Sequence, residues 1–294
     1  MSTASLVVMA AGMASRYGAS KQIEGMGPHG EILLDYSVRD AIRAGFDKVV
    51  LVIKPEMLER IKEVCGNRYA GEIQVCYAFQ DYSSVPAKVP QGRTKPYGTV
   101  HAALCAAPFI EEPFAVLNAD DYYGVESFAQ MFQFLVHEAA PGRAAMIGYQ
   151  LRNTISRYGT VSRGLCKVKD GCLTGIREVK KIALVDGLHI ADLTDPEDPQ
   201  PLFPESPVSM NFWGFHPQIM ESMADSFKKF LGEHAGEMTS EYLLPIFVDE
   251  QLRSGMLNVQ VIPTTAVWFG VTYQEDRPNV VEALRELHAA GIYG

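Results

Sequence analysis

The 294-residue sequence has little of what several binding and catalytic classes require. Its five cysteines, Cys65, Cys76, Cys105, Cys166 and Cys172, are odd in number and include no Cys-x-x-Cys pair. That argues against a disulfide framework and a thiolate zinc site; Cys166 and Cys172 could meet across a hairpin, but the expectation is free thiols in a reducing cytoplasm. No apolar run approaches the length of a membrane span, so no membrane partner is expected. The first apolar stretch has no basic residue before it and passes at once into a polar loop, so it reads as a strand and not as a signal peptide. Basic residues are scarce: 26 Lys and Arg against 35 Asp and Glu leave a formal net charge of -9. Such a balance excludes a general nucleic-acid or anionic-membrane surface, and any phosphate work falls to local cations. No Ser-His-Asp or Cys-His arrangement, internal repeat or low-complexity tract stands out. His101 has no Cys or His partner at metal spacing and is expected to pack or to lie at the surface.

What is present points elsewhere. With 47% apolar and 21% charged residues the chain can bury an ample core. Leu6-Val7-Val8-Met9 has the continuous apolar character of a strand buried on both faces. It stops at Ala10-Ala11-Gly12-Met13, where small residues let backbone come close to a ligand, and Arg16 and Lys21 follow. Backbone N–H groups at the end of such a strand, with two cations nearby, suit a polyphosphate. The loop is neither the dinucleotide fingerprint nor the P-loop, because Gly12 and Gly18 lack those spacings and no Gly-Lys-Ser/Thr follows.

Elements alternate in the first half. A helix is expected over residues 32 to 44, ending at Gly45, and a strand over 48 to 53. A helix over 55 to 63 and a strand over 72 to 79 follow, then a helix over 99 to 106. A strand over 114 to 118 delivers Asp120 at its carboxyl end, the edge where open parallel sheets bind ligands. The second half turns to strands, over 144 to 150, 159 to 163 and 172 to 179, the last two joined by a hairpin signal at 169 to 171. Residues 192 to 206, rich in proline and acids, read as an exposed excursion: a lid, a dimer contact or a linker. A short basic helix is expected around Phe227 to Phe230, a longer one over 240 to 252 with its cap at Ser240, and a terminal one over 280 to 290 capped by Asn279. Trp268 is expected in the core.

Read in order, several segments resemble one family. Ala10-Ala11-Gly12-Met13-Ala14-Ser15-Arg16 with Ser20-Lys21-Gln22 resembles the signature of the sugar-phosphate nucleotidyltransferases, which make nucleotide sugars and include the glucose-1-phosphate thymidylyltransferases. Gln80 and Pro96-Tyr97-Gly98-Thr99 are similar to the segments near the base. Val116-Leu117-Asn118-Ala119-Asp120-Asp121 resembles the strand whose aspartate holds magnesium. Tyr158-Gly159-Thr160-Val161 and Glu178-Val179-Lys180-Lys181 resemble the sugar-phosphate contacts, and Met210-Asn211-Phe212-Trp213-Gly214 a further strand of the site. Together these cover roughly residues 5 to 280. Three departures stand out: Ala14 replaces a usual glycine, Gly270 stands where a second metal-binding aspartate is usual, and residues 81 to 95 form a longer connection.

The resemblance implies a Rossmann-like α/β fold with a mixed, mostly parallel sheet flanked by helices and an added small β region. It implies one domain over 1 to 294, with a nucleotide-binding half to about 140 and an acceptor-binding half from 141 on that carries the C-terminal helix. The implied reaction joins a nucleoside triphosphate to a sugar 1-phosphate with loss of pyrophosphate. Ala10, Ala11, Gly12, Met13, Gln80, Gly98 and Thr99 would bind the nucleotide, and Asp120 would hold Mg²⁺. Arg16, Lys21 and Lys180 would be catalytic; Tyr158, Gly159, Glu178, Lys181 and Asn211 would bind the acceptor. Lys180 and Lys181 point to opposite faces of a regular strand, so only one of them can grip the incoming phosphate. The partners implied are the triphosphate and a phosphorylated small molecule, with a homo-oligomer in keeping with the family. Two other readings stay open: a cytidylyltransferase acting on a non-sugar phosphate, and a nucleotide-binding regulatory protein without turnover.

Overall fold

A computed structural model of the chain describes residues 3–14, 25–271 and 273–293. Thirteen strands and seven helices are found among them, joined by short 3-10 turns. The first half contains β1 (Ser5–Met9), α1 (Leu33–Ala44), β2 (Lys48–Ile53), α2 (Leu58–Val64), β3 (Gln74–Phe79), α3 (Thr99–Ala106), β4 (Phe114–Asn118), β5 (Asp121–Tyr122) and α4 (Val125–His137). The second contains β6 (Arg143–Gln150), β7 (Val161–Lys169), β8 (Cys172–Val185), β9 (His189–Asp192), β10 (Gln200–Leu202), β11 (Pro207–Phe215), α5 (Ile219–His234), α6 (Leu244–Arg253), β12 (Asn258–Pro263), β13 (Phe269–Gly270) and α7 (Arg277–Ala289).

One eleven-stranded sheet runs β10-β9-β8-β12-β6-β11-β4-β1-β2-β3, with β7 bridging β11 and β8. It is mixed, as expected, but its parallel part is confined to β4-β1-β2-β3 and the β6–β12 pair; the other pairings are antiparallel. The apolar run of β1 follows from its central place. Leu6 and Val8 enter one core with α1 and α4, while Val7 and Met9 enter a second on the opposite face with α3, α5 and α6. Burying each such side chain stabilises the fold by about 1.5–3 kcal/mol. A third cluster seats α7 through Val280 and Leu284 against Leu33, Tyr36, Tyr122 and Tyr293.

Several expectations shift. The acidic, proline-rich excursion is largely exposed, as expected, and is tied down at its base: Asp192 and Gln200 pair in the β9–β10 hairpin at the sheet edge, and Arg177 reaches Asp192 at 3.4 Å. The basic helix near Phe227 is the middle of the 16-residue α5, whose Met223, Phe227 and Leu231 repeat at i, i+4 and i+8 on the buried face. Ser240 does not cap α6, which starts at Leu244 with Pro245 in its first turn; the Ser240 hydroxyl instead donates to the His234 carbonyl at 3.0 Å. Asn279 lies inside the first turn of α7 and donates to the Tyr158 hydroxyl at 3.2 Å.

Candidate active site

The carboxyl ends of the parallel strands meet at one edge. Ala10 N–H donates to Val52 O at 2.8 Å and Ala119 N–H to Met9 O at 3.2 Å, which ties together the exits of β1, β2 and β4. Ala10 and Ala11 are buried, Gly12 is exposed with no atom within 4 Å of where a Cβ would stand, and Met13 follows on the same 3-10 turn, Ala11–Ala14. Arg16 and Lys21 lie outside the described residues.

Gln80 leaves β3 at this edge, its N–H donating to Ile53 O at 2.8 Å. Its Nε2 donates to Gly98 O at 3.0 Å, so two segments eighteen residues apart in sequence form one unit. Gly98 has φ +96, and a Cβ there would lie 2.4 Å from the Tyr242 carbonyl oxygen, so only glycine fits. Thr99 opens α3, but its hydroxyl is committed to accepting the Leu244 N–H at 2.7 Å. The long connection before it is pinned by the buried Arg93, which donates to Lys95 O, Pro96 O, Glu237 O and Ser240 O and lies 3.7 Å over the Tyr97 ring. His101 packs as expected, stacked on Phe227 at 5.3 Å, and burial lowers its pKa to about 4.

The two acids after β4 differ sharply. Asp120 is half-buried in the turn, whereas Asp121 is buried on β5. Burial first, and the Asp120 charge second, raise the Asp121 pKa against hydrogen bonds from Asn118 and Tyr123 and the charge of Arg163. The Tyr123 hydroxyl accepts the Asn118 N–H at 3.1 Å and lies 2.9 Å from Met210 O and 3.2 Å from Asp121 Oδ2. One hydroxyl proton cannot serve both oxygens; a protonated Asp121 that donates to Tyr123 satisfies all three groups.

Glu178, one of the expected acceptor residues, lies near a cation that sequence reasoning passed over. Arg163, 7% exposed, donates to Thr154 O and Ser162 O and stands 4.5 Å over the Trp268 ring. Burial lowers its pKa to about 10, against the pull of Asp121, Glu178 and Asp276. Glu178, opposite Gly164, has its pKa raised by desolvation and is offset by Arg163 and Lys180. Arg163 thus couples Asp121 on β5 to Glu178 on β8. Its signal was faint: a single arginine between Ser162 and Gly164 on β7, with no motif to mark it.

Tyr158 is exposed, and Gly159 lies against the Tyr273 ring, where a Cβ would come within 2.7 Å. Tyr273 also donates to Thr160 O at 2.6 Å, so this loop is clamped to the turn that opens α7. Lys180 and Lys181 do not alternate. The β7–β8 register slips between Val161/Ile182 and Arg163/Val179; Val179 and Ile182 are both buried and the two lysines between them both exposed. A regular strand would let only one of them serve; the bulge lifts that restriction. Asn211 sits in another bulge, on β11, with φ 61; its Oδ1 accepts from Trp213 Nε1 at 3.3 Å. Trp268 is in the core, as expected.

A profile of the family described as Nucleotidyl transferase matches residues 7–181. No curated protein matches the chain. Among solved structures, the inositol-1-phosphate CTP transferase from T. maritima aligns with TM-score 0.61 and 12% identity, covering 97% of this chain and 96% of its own. A putative glucose-1-phosphate thymidylyltransferase from Bacillus anthracis, in complex with a sucrose, aligns with TM-score 0.62 and 11% identity over 97% and 96% of the two chains. A UDP-glucose pyrophosphorylase complexed with UDP-glucose aligns with TM-score 0.59 and 18% identity over 96% and 98%. At these identities the likeness is one of fold, and it extends over the whole sheet and its flanking helices.

Proposed function

The chain belongs to the nucleotidyl transferase family, and from that membership we propose that it couples a nucleoside triphosphate to a sugar 1-phosphate, giving an NDP-sugar and pyrophosphate. The observation that carries the reading is the single strand edge at which Ala10, the Gln80–Gly98 unit and the acids after β4 converge, with Asp121 linked through Arg163 to Glu178.

An oxygen of the acceptor phosphate attacks the α-phosphorus; that P–O bond forms as the bond to the β-phosphate oxygen breaks and pyrophosphate leaves. Such chemistry asks the protein for alignment and charge neutralisation rather than covalent work. Backbone N–H groups of Ala11 to Met13 line the phosphates, with Ala10, its own N–H held by Val52 O, as the small residue at their foot, and Gln80 with Gly98 and Thr99 borders the base of the nucleotide. Arg16 and Lys21 offset charge on the leaving pyrophosphate. Lys180, with Lys181 beside it, holds the incoming phosphate in line, while Tyr158, Gly159, Glu178 and Asn211 border the acceptor. Asp120 fits a hard divalent cation: a half-buried carboxylate suffices when substrate phosphates and water complete an oxygen shell. Mg²⁺ bound there would supply Lewis-acid neutralisation across the phosphates. Five free thiols suit a reducing compartment such as the cytoplasm, and no described helix is long and apolar enough to cross a membrane.

A second reading, CTP joined to a non-sugar phosphate, draws on Gly270 and the long 81–95 connection, both departures on the site's borders. Pyrophosphate release with four triphosphates against sugar 1-phosphates and non-sugar phosphates separates the two. Turnover confined to sugar 1-phosphates is expected. Turnover confined to CTP and a non-sugar phosphate establishes the second reading, and tight nucleotide binding without release with any pair overturns both.

A further inference from the structure

Glu31 lies just before α1, on the turn that closes over residues 25 to 31. The turn is built tightly: Met26 and Gly27 N–H both donate to Glu31 O, at 2.7 and 2.9 Å, and a Cβ on Gly27 would run into Glu31 Oε2 and the Tyr36 hydroxyl, at 2.4 and 2.1 Å. This carboxylate, 2% exposed, is therefore held in place. Its Oε2 accepts the His29 N–H at 2.9 Å, while its buried Oε1 accepts no hydrogen bond from a described residue. Two imidazoles stand beside it, His29 from the same turn and His288 from the last turn of α7, with ring centroids 5.7 Å apart. One nitrogen from each ring and one carboxylate oxygen lie within 4.8 Å of one another.

We propose that His29, Glu31 and His288 form a binding site for a divalent transition-metal ion of the zinc class, separate from the Asp120 edge, that clips α7 to the turn preceding α1.

Two imidazoles and one carboxylate are a zinc donor set that leaves a fourth position for water, and imidazole disfavours magnesium. Bonds of about 2.0–2.1 Å put tetrahedral ligand atoms about 3.3 Å apart, so the three must draw together by roughly 1.5 Å. The exposed His29 supplies most of that movement. Burial, with the neighbouring His29 and Arg39 charges, lowers the His288 pKa against the pull of Glu31, which favours the neutral ring that binds metal. His288 Nε2 lies 4.0 Å from Glu31 Oε1 and 3.1 Å from the Tyr36 hydroxyl, so an ion bound there takes that nitrogen from Tyr36. Arg39 lies 3.8 Å from Glu31 Oε1 and opposes a cation, but its side chain is 32% exposed and can swing to solvent. Among the described residues this is the one such His/Cys/Asp/Glu cluster.

Untagged, EDTA-stripped protein is titrated calorimetrically with Zn²⁺ in excess Mg²⁺, and Co²⁺ is added in parallel to read coordination from its visible absorption. One equivalent per chain, a four-coordinate Co²⁺ spectrum and a raised Tm are expected, with affinity reduced at least about ten-fold in His29→Ala and in Glu31→Gln. His29 is exposed, so its variant keeps the fold, which circular dichroism checks. No uptake by the wild-type chain, a loss of less than ten-fold in His29→Ala, or uptake abolished by Asp120→Ala instead overturns the proposal. None of these outcomes depends on nucleotidyl transfer.

Discussion

Gly270 faces Asp121 across the two-residue ladder of β13 and β5, and a Cβ built on it would lie 2.8 Å from Asp121 Oδ1. The same atom would stand 3.0 Å from Trp268 Cζ2 and 3.1 Å from the Asp120 carbonyl oxygen. The missing aspartate at 270 and the buried acid at 121 are thus one arrangement. Asp121 occupies the space that a side chain on β13 would need.

The arrangement predicts a directional cost. Gly270→Ala forces a methyl against a buried carboxyl, an indole and backbone, none a flexible end, and destabilises the fold by about 1–3 kcal/mol. Gly270→Asp is worse, because it adds a second buried acid. Either penalty falls by at least about 0.5 kcal/mol when Asp121→Ala removes the opposing group. Urea denaturation of the two singles and the double checks it; additive penalties would show that the two sites do not compete for space.

Asp120 and Asp121 are expected to separate by function. Asp120→Ala, at a half-buried turn, leaves stability within about 0.5 kcal/mol of wild type but lowers Mg²⁺-dependent turnover by at least about 10²-fold. Asp121→Asn keeps a neutral, hydrogen-bonding side chain of the same shape and retains most of the rate. Pyrophosphate release at saturating substrates reads both. Near-normal turnover in Asp120→Ala removes the carboxylate from the metal's coordination.

Stability is expected to depend on pH through Asp40. Its carboxyl is 1% exposed on α1, accepts the Tyr293 hydroxyl at 2.7 Å, and is pushed by burial from an ordinary 3.8 to about 7. Because the folded pKa is raised, the native state holds the proton more tightly than the unfolded chain does. The stabilisation is complete below about pH 4 and is lost as pH rises through about 7, with an amplitude on the order of 4 kcal/mol. His101, its folded pKa lowered to about 4, slopes the opposite way, gaining stability as pH rises toward its unfolded value. The difference between wild type and Asp40→Asn isolates the aspartate. Denaturant midpoints from pH 4 to 8 should converge for the two proteins on the acid side and part on the alkaline side in favour of the variant.

Much of the first half of the chain was legible because each of its elements carries its own signal. The strands β2 and β4 and the helix α3 have the expected bounds, since a β-branched apolar run between turn residues, or a small-residue helix after Gly98, admits few alternatives. The Gln80–Gly98 contact was readable only as a resemblance; the hydrogen bond itself depends on how β3 and α3 meet. The second half was less legible, because its strands bulge. A slip of one residue at Lys180 and Lys181 defeats any argument from alternation, and nothing local marks it. Arg163 was missed for a related reason: a buried cation shows only once its acids are assembled from β5, β8 and the turn before α7. Residues 25 to 31 and α7 meet only in the folded chain, so the histidines there carried no spacing signal.

The bulge on β11 ties backbone to chemistry at Asn211. Four residues of β11, from Ser209 to Trp213, advance against only two of β6, from Gly148 to Met146, and Asn211 absorbs the excess with φ 61. Most side chains lose about 1–2 kcal/mol in that conformation, asparagine less and glycine nothing. Asn211→Ala and Asn211→Gly both remove the acceptor for Trp213 Nε1, so the stability difference between them reports backbone strain offset by the greater unfolded-chain entropy of glycine. Glycine is expected to be more stable than alanine by about 1 kcal/mol in urea. Their kinetics report the other half of the question. If the amide touches the acceptor, both variants raise the KM of the phosphorylated acceptor and leave that of the triphosphate unchanged, however well the glycine variant folds. An Asn211→Gly enzyme with an unaltered acceptor KM would confine the asparagine to shaping the strand.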